Sequence, residues 1–219
     1  MKMTKIFLKG LLISLSFLIS SCGGNGTDID GNSYRTLKIG NQKWMAENLN
    51  VSRFRNGDTI PEIKSAEEWR RYGEEKKPAF CIMENNTDYG VQYGKLYNWY
   101  AVNDPRGLAP KGWHIPSDEE WTELTDFLGG GVMAGRQMII VGIGSNVNED
   151  ETLGFSGLPA GARRTDGIFY GLSSAGYWWT ASEITASSSW MRLLTYVRTD
   201  VHSMSYDNSF GLSVRCVRD

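Results

Sequence analysis

Trp113-His-Ile-Pro-Ser-Asp-Glu-Glu-Trp121 is the stretch from which the fold reads most directly. Ser117 followed three residues later by Glu120 is a capping box: the Ser side chain caps the first turn and the Glu reaches back. Asp118, Glu119 and Glu120 also suit the positive end of a helix dipole. The pattern predicts a helix over 118–128, stopped by Gly129-Gly-Gly131. Ser65-Ala-Glu-Glu-Trp69 repeats the signature and predicts a second helix over 66–76, ending before Pro78. Capping thus accounts for both acidic clusters, which are not read as paired catalytic carboxylates.

Working outward, Tyr93–Val102 places Leu96, Trp99 and Tyr100 at helical spacing, with Tyr97 and Val102 beside them, and predicts a short helix with a buried face. Tyr34–Gly40 alternates and turns at Gly40-Asn41, so Gln42–Ala46 returns as a hairpin partner. Asn56-Gly57-Asp58 is a further turn. From Arg136 onward short strands and Gly-rich loops alternate. Gly176–Ala181, Trp190–Leu194 and Leu212–Val217 read as strands of one antiparallel sheet. Helices first and sheet late, with no linker between, make a single α+β domain.

The chain has 219 residues, 41% of them apolar, 22% charged and 12% aromatic, with 25 glycines. That profile excludes a disordered chain, a coiled coil and a collagen-like repeat. Lys2, Lys5 and Lys9 precede the apolar run Leu11–Ile19 and then Ser20-Ser21-Cys22. A basic start, a short apolar core and small residues before a cut site predict a secretory signal over 1–21. Ile19-Ser-Ser-Cys22 resembles a bacterial lipobox, which makes Cys22 the lipidated first residue of the mature chain. A tether over 22–29 would then lead into a domain over 30–219. An ordinary cleaved signal with a chance Cys is the alternative. The full chain carries 23 basic and 25 acidic residues, and the mature chain is more acidic still. Without a basic run it is not expected to bind nucleic acid.

Removing Cys22 from the three cysteines leaves Cys81 and Cys216, an even number for an oxidising compartment. A bridge between them would close a loop of about 135 residues and constrain the unfolded chain by about 4–5 kcal/mol. Two buried free thiols are the alternative.

Asp30–Tyr34, Ile39–Leu49, Tyr93–Trp99, Pro110–Trp121, Gly154–Gly161, Tyr177–Glu183 and Ser213–Arg218 follow one another in a recognisable order. In these motifs the chain resembles the Fibrobacter succinogenes major paralogous domain, a family of secreted and lipid-anchored proteins of Bacteroidetes-type bacteria. The resemblance spans nearly all of residues 28–219. Ala109 stands where many members carry a Cys, which leaves Cys81 and Cys216 as the available pair. More distantly, Trp113–Trp121 and Gly211–Arg215 are similar to stretches of formylglycine-generating enzymes. That likeness implies a C-type-lectin-like fold: a twisted antiparallel sheet, flanking helices and long Gly-rich loops.

The chemistry expected of such a domain is binding. The copper-ligating cysteine pair of formylglycine-generating enzymes does not carry over, and no GxSxG, HExxH or P-loop string occurs. His114 reads as a satisfied structural histidine, and the two single histidines and two cysteines make no zinc site. Calcium would find oxygen ligands at Asn146, Asn148 and Asp150, or within Glu84–Asp88, although Asn and Asp also favour plain turns. Phe169, Tyr170, Tyr206 and Trp178 are the candidate ligand-binding aromatics, while Trp69, Trp99 and Trp121 fit core positions. The expectation is a non-enzymatic, lipid-anchored cell-envelope protein, on the outer membrane, that binds a glycan or an envelope protein. A subunit of a surface or fimbria-like assembly is the second reading, and an enzyme of unrecognised type the third.

Overall fold

Local capping starts the helices where the sequence places them. The computed structural model describes residues 26–139 and 154–219. Its first half carries β1 (Gly26–Thr27), β2 (Ser33–Tyr34), β3 (Thr36–Ile39), β4 (Gln42–Met45), α1 (Ala66–Glu74), β5 (Phe80–Cys81), α2 (Thr87–Tyr93), β6 (Leu96–Tyr97), α3 (Trp99–Val102), β7 (Trp113–His114) and α4 (Asp118–Phe127). Then follow α5 (Gly131–Met138), β8 (Ala160–Arg163), β9 (Phe169–Leu172), β10 (Ala175–Thr185), β11 (Ser188–Thr195), β12 (Asp200–Asp207) and β13 (Val217–Arg218). The architecture is α+β. At α4 both halves of the box form: Glu120 N donates to Ser117 Oγ at 3.2 Å and Ser117 N to Glu120 Oε2 at 2.8 Å. At α1 the Ser65 hydroxyl accepts from Glu68 N at 3.1 Å.

The late half builds a five-stranded sheet in the order β12-β11-β10-β8-β9, and β3-β4-β13-β7 form a second. Residues 211–217 pass between them, bridging Leu212 to Tyr97, Gly211 to Arg163, and Ser213 to Trp178. Long central β10 is covered on both faces, so its alternating side chains enter two cores. Tyr177 and Trp179 join Met45, Phe54, Tyr97, Trp99 and Cys216 in one cluster. Trp178 joins Trp44, Trp121, Phe155 and Leu194 in the other. A third cluster under α1 holds Trp69, Cys81, Met83 and Leu96.

Where structure and sequence reading differ, a long-range contact decides. The helix expected over 93–102 splits into β6 and α3 because Asn98 bonds outward. It accepts from Ala79 N at 3.0 Å, donates to the Lys77 carbonyl at 2.8 Å, and caps α3 through Ala101 N. Helix α5, hidden by its glycines, starts after Gly130 at φ +88°. A methyl group on Gly135 would lie 2.3 Å from the Thr199 carbonyl oxygen, so glycine is what lets α5 seat against the start of β12. Residues 26–29, expected in the tether, belong to the fold: β1 pairs with β2, and Asp28 is buried.

The bridge expected between Cys81 and Cys216 is not formed. Both are free, buried thiols in different clusters, Cys81 with Trp69 and Met83, Cys216 with Met45 and Trp99. Burial pushes the Cys81 thiol up to about 12, and raises that of Cys216 as well. A thiol reagent is therefore expected to modify neither before unfolding, and reductant to leave the melting temperature unchanged. A lower melting temperature on reduction would restore the bridge.

Arg163 is buried between the rings of Trp69 and Phe169, 4.8 and 4.7 Å from their centroids. Its guanidinium donates to the carbonyls of Ile63, Lys64 and Gly167 at 2.5, 2.8 and 3.0 Å. A lysine there keeps the charge but loses the fork and the stacking plane, stranding buried carbonyls. Arg163→Lys is expected to lower unfolding free energy by about 2–3 kcal/mol in urea titrations; a loss under about 0.5 kcal/mol would refute the anchoring role.

Candidate functional site

Strand alternation and register gather aromatic groups on one side of the five-stranded sheet. Tyr177 lies opposite Leu193, which lies opposite His202; Met204 and Tyr206 follow on the same side of β12. Tyr170 of β9 meets Tyr177 edge-on at 5.3 Å between centroids. Tyr206 lies 6.2 Å from Tyr177 and 4.6 Å from Phe210. The Tyr170 and Tyr206 hydroxyls approach to 3.4 Å. Beside this ladder opens a trough of about 590 Å³, with Ala175, Tyr177, Leu193, Val197 and Met204 as its apolar part and Ser174, Thr195, Arg198 and His202 as its polar part. Its volume lies in the range of small-molecule sites, about 300–1,000 Å³.

The Tyr170 and Tyr177 phenols are neutral donors and acceptors. Burial, and then the Tyr206 hydroxyl, raises the Tyr170 pKa; burial first and Tyr206 second raise that of Tyr177. His202 Nε2 faces the Asp200 carboxylate at 2.8 Å rather than a hydroxyl or thiol nucleophile. Groups of this kind have the chemistry to stack on an apolar surface and to hydrogen-bond polar substituents.

The Fibrobacter succinogenes major domain matches residues 37–218. The chain belongs to that family. No curated protein and no solved structure matches it. The matched span takes in the whole aromatic face and begins after the β1–β2 hairpin.

Within this family domain the four candidate aromatics separate. Tyr170 and Tyr206 come together on the open face. Phe169, the neighbour of Tyr170 on β9, points to the other side and packs on the Arg163 guanidinium. Trp178 is excluded as a contact residue: it is 0% exposed, and its indole N–H donates to Asn48 Oδ1 at 2.8 Å. The reason is that Trp44, Trp121 and Phe155 cover the Trp178 side of β10, while Tyr177 on the opposite side keeps 8% exposure at the trough. Sequence reasoning missed Tyr177, Phe210 and Met204, whose pairing across strands no local pattern signals. Asn146, Asn148 and Asp150 lie outside the described residues. In the other acidic stretch Asn86 caps α2 through Asp88 N, and Asn85 donates to the Lys64 carbonyl. Among the described residues no helix is long and apolar enough to cross a membrane.

His114 is held from both ring nitrogens. Nδ1 meets Asp219 Oδ1 at 2.8 Å and Nε2 meets Glu120 Oε1 at 2.8 Å. Two acceptors demand two N–H donors, which only the imidazolium supplies. Burial works against that charge, and the two carboxylates overcome it, so the pKa is raised from 6.5. The proton is therefore held more tightly in the folded chain. The clasp's stabilisation is complete below about pH 6.5 and is lost as pH rises through the higher folded value. His114→Gln should therefore cost more stability at about pH 6 than at about pH 9, read from urea midpoints at each; equal losses would remove the clasp.

Proposed function

We propose that the mature chain is a lipid-anchored, non-enzymatic protein of the cell envelope, on the outer membrane, that captures a glycan on the aromatic face of its five-stranded sheet. The observation that carries this reading is the ladder Tyr170–Tyr177–Tyr206–Phe210 beside an open, partly apolar trough. Pyranose rings have apolar faces that stack on aromatic rings, and Arg198, His202 and Thr195 stand at the trough to take hydroxyl or acidic substituents. The lipidation signal ending in Cys22 supports the envelope location. The fold reading that accompanies it is C-type-lectin-like, supported by the late sheet, antiparallel except where β8 runs parallel to β10, and by the flanking helices and long loops.

Assembly into a surface structure is the second reading. Strand β12 is an edge strand, and His202, Ser203, Met204 and Ser205 along it are exposed. Such an edge offers unpaired backbone groups to another chain.

Glycan arrays and insoluble polysaccharides, probed with the mature protein, separate the two. Saturable binding is expected, weakened about tenfold by Tyr206→Ala or Tyr170→Ala and unchanged by Val91→Ala on the exposed side of α2. Failure on every glycan, or binding indifferent to Tyr206, would overturn the capture reading and leave assembly.

A further inference from the structure

The segment between Cys22 and the fold is short, and that sets which pole of the domain meets the bilayer. Residues 22–25 precede β1, a reach of about 14 Å when fully extended. A domain of this size has a radius of gyration of about 16 Å, so a lipidated Cys22 holds the β1 pole at the headgroups. Gly26 abuts Trp113: a methyl group on it would lie 3.2 Å from that ring.

Cations gather round the same tryptophan. The Arg218 guanidinium stands 5.9 Å from the Trp113 ring, and Arg55 donates to the Trp113 carbonyl at 3.3 Å. Lys111 lies two residues before it, and all three cations are exposed. Arg53, Arg55 and Lys111, with Ile29 at 42% exposure, border a recess of about 270 Å³. The nearby carboxylates are already engaged. Asp28 is buried and accepts from Tyr34 at 2.5 Å and Asn32 at 2.8 Å. Asp30 pairs with Arg53 at 2.6 Å, and Asp219 with His114 at 2.8 Å. Among the described residues Arg55, Lys111 and Arg218 have no ion-pair partner.

We propose that this pole docks on anionic phospholipid headgroups through Arg55, Lys111 and Arg218, with Ile29 at the interface. The inference rests on acylation at Cys22 proposed above and goes beyond it, since an anchor alone keeps the β1 pole near the headgroups but leaves the domain free to tilt about it. Basic groups beside an anionic bilayer are drawn to it and lose that attraction within a Debye length. Docking would hold the domain in one orientation towards the bilayer.

The test uses the acylated mature protein carrying Thr27→Cys, an exposed position on β1, labelled with an environment-sensitive dye; both native thiols are buried and stay unlabelled. It is reconstituted in vesicles of phosphatidylcholine alone or with phosphatidylglycerol, each containing headgroup spin-labelled lipid as quencher. Flotation is scored in parallel. Expected are flotation with both vesicles, stronger quenching in the anionic ones, and loss of that excess in high salt. Lys111→Gln, which removes a side chain with no hydrogen bond among the described residues, should lower the docking equilibrium about fivefold. Flotation with equal quenching in both vesicles, or quenching indifferent to Lys111→Gln, overturns docking and leaves the anchor standing. Failure to float with either vesicle overturns the anchor, and docking with it.

Discussion

Guanidinium groups buried among carbonyls hold this fold together. A chain with so many Gly-rich connections leaves backbone oxygens inside the protein without ladder partners, and a buried carbonyl without a donor is costly. Arg163 answers three of them beneath α1. Arg215, wholly buried, donates to Phe155 and Ser156 carbonyls and to Asn48 Oδ1, with the Phe155 ring 4.2 Å away. Burial pushes its pKa down to about 9, with the Glu47 charge opposing, and it stays protonated at neutral pH. Arg192 ties β11 to the first turn of α4 through the Asp118 carboxylate and carbonyl and the Thr122 hydroxyl. In each case one planar donor set joins segments far apart in sequence, which a point-like ammonium cannot do.

These anchors bear on the candidate site through the sheet. Arg192 fixes one side of β11 against α4, and Leu193, the next residue, then points to the trough. Arg163 ends β8, which lies between β9 and β10 and so sets the spacing at which Tyr170 meets Tyr177. The aromatic face thus stands on strands whose other side is held by buried charge. Rigid support of this kind fixes the spacing of the aromatic face, and for the glycan capture proposed above it would leave less ordering to accompany binding.

The helix starts were legible because capping is local: Ser65 and Ser117 act on amides three residues away. The Gly40-Asn41 hairpin was legible for the same reason, as β3 and β4 show. Helix α5 was not, because its glycines weaken helix propensity and only their close packing on β12 explains them. Strands β8, β9 and β12 also escaped notice. Most of β12 is polar, and nothing in Asp200–Asp207 announces that it pairs residue for residue with β11.

For the site, the sequence by itself determined the inventory: an aromatic-rich, glycine-rich domain of a recognisable family, with its helix caps in place. Tertiary structure decided which aromatics face solvent, since burial depends on what covers each side of a strand. It put Tyr170 and Tyr206 together and enclosed Trp178. It also kept Cys81 and Cys216 in separate cores, and gathered Arg55, Lys111 and Arg218 round one tryptophan. Capping acts over a few residues and is written in short strings; burial, pairing and charge clustering act between residues a hundred positions apart and exist only once the strands are ordered.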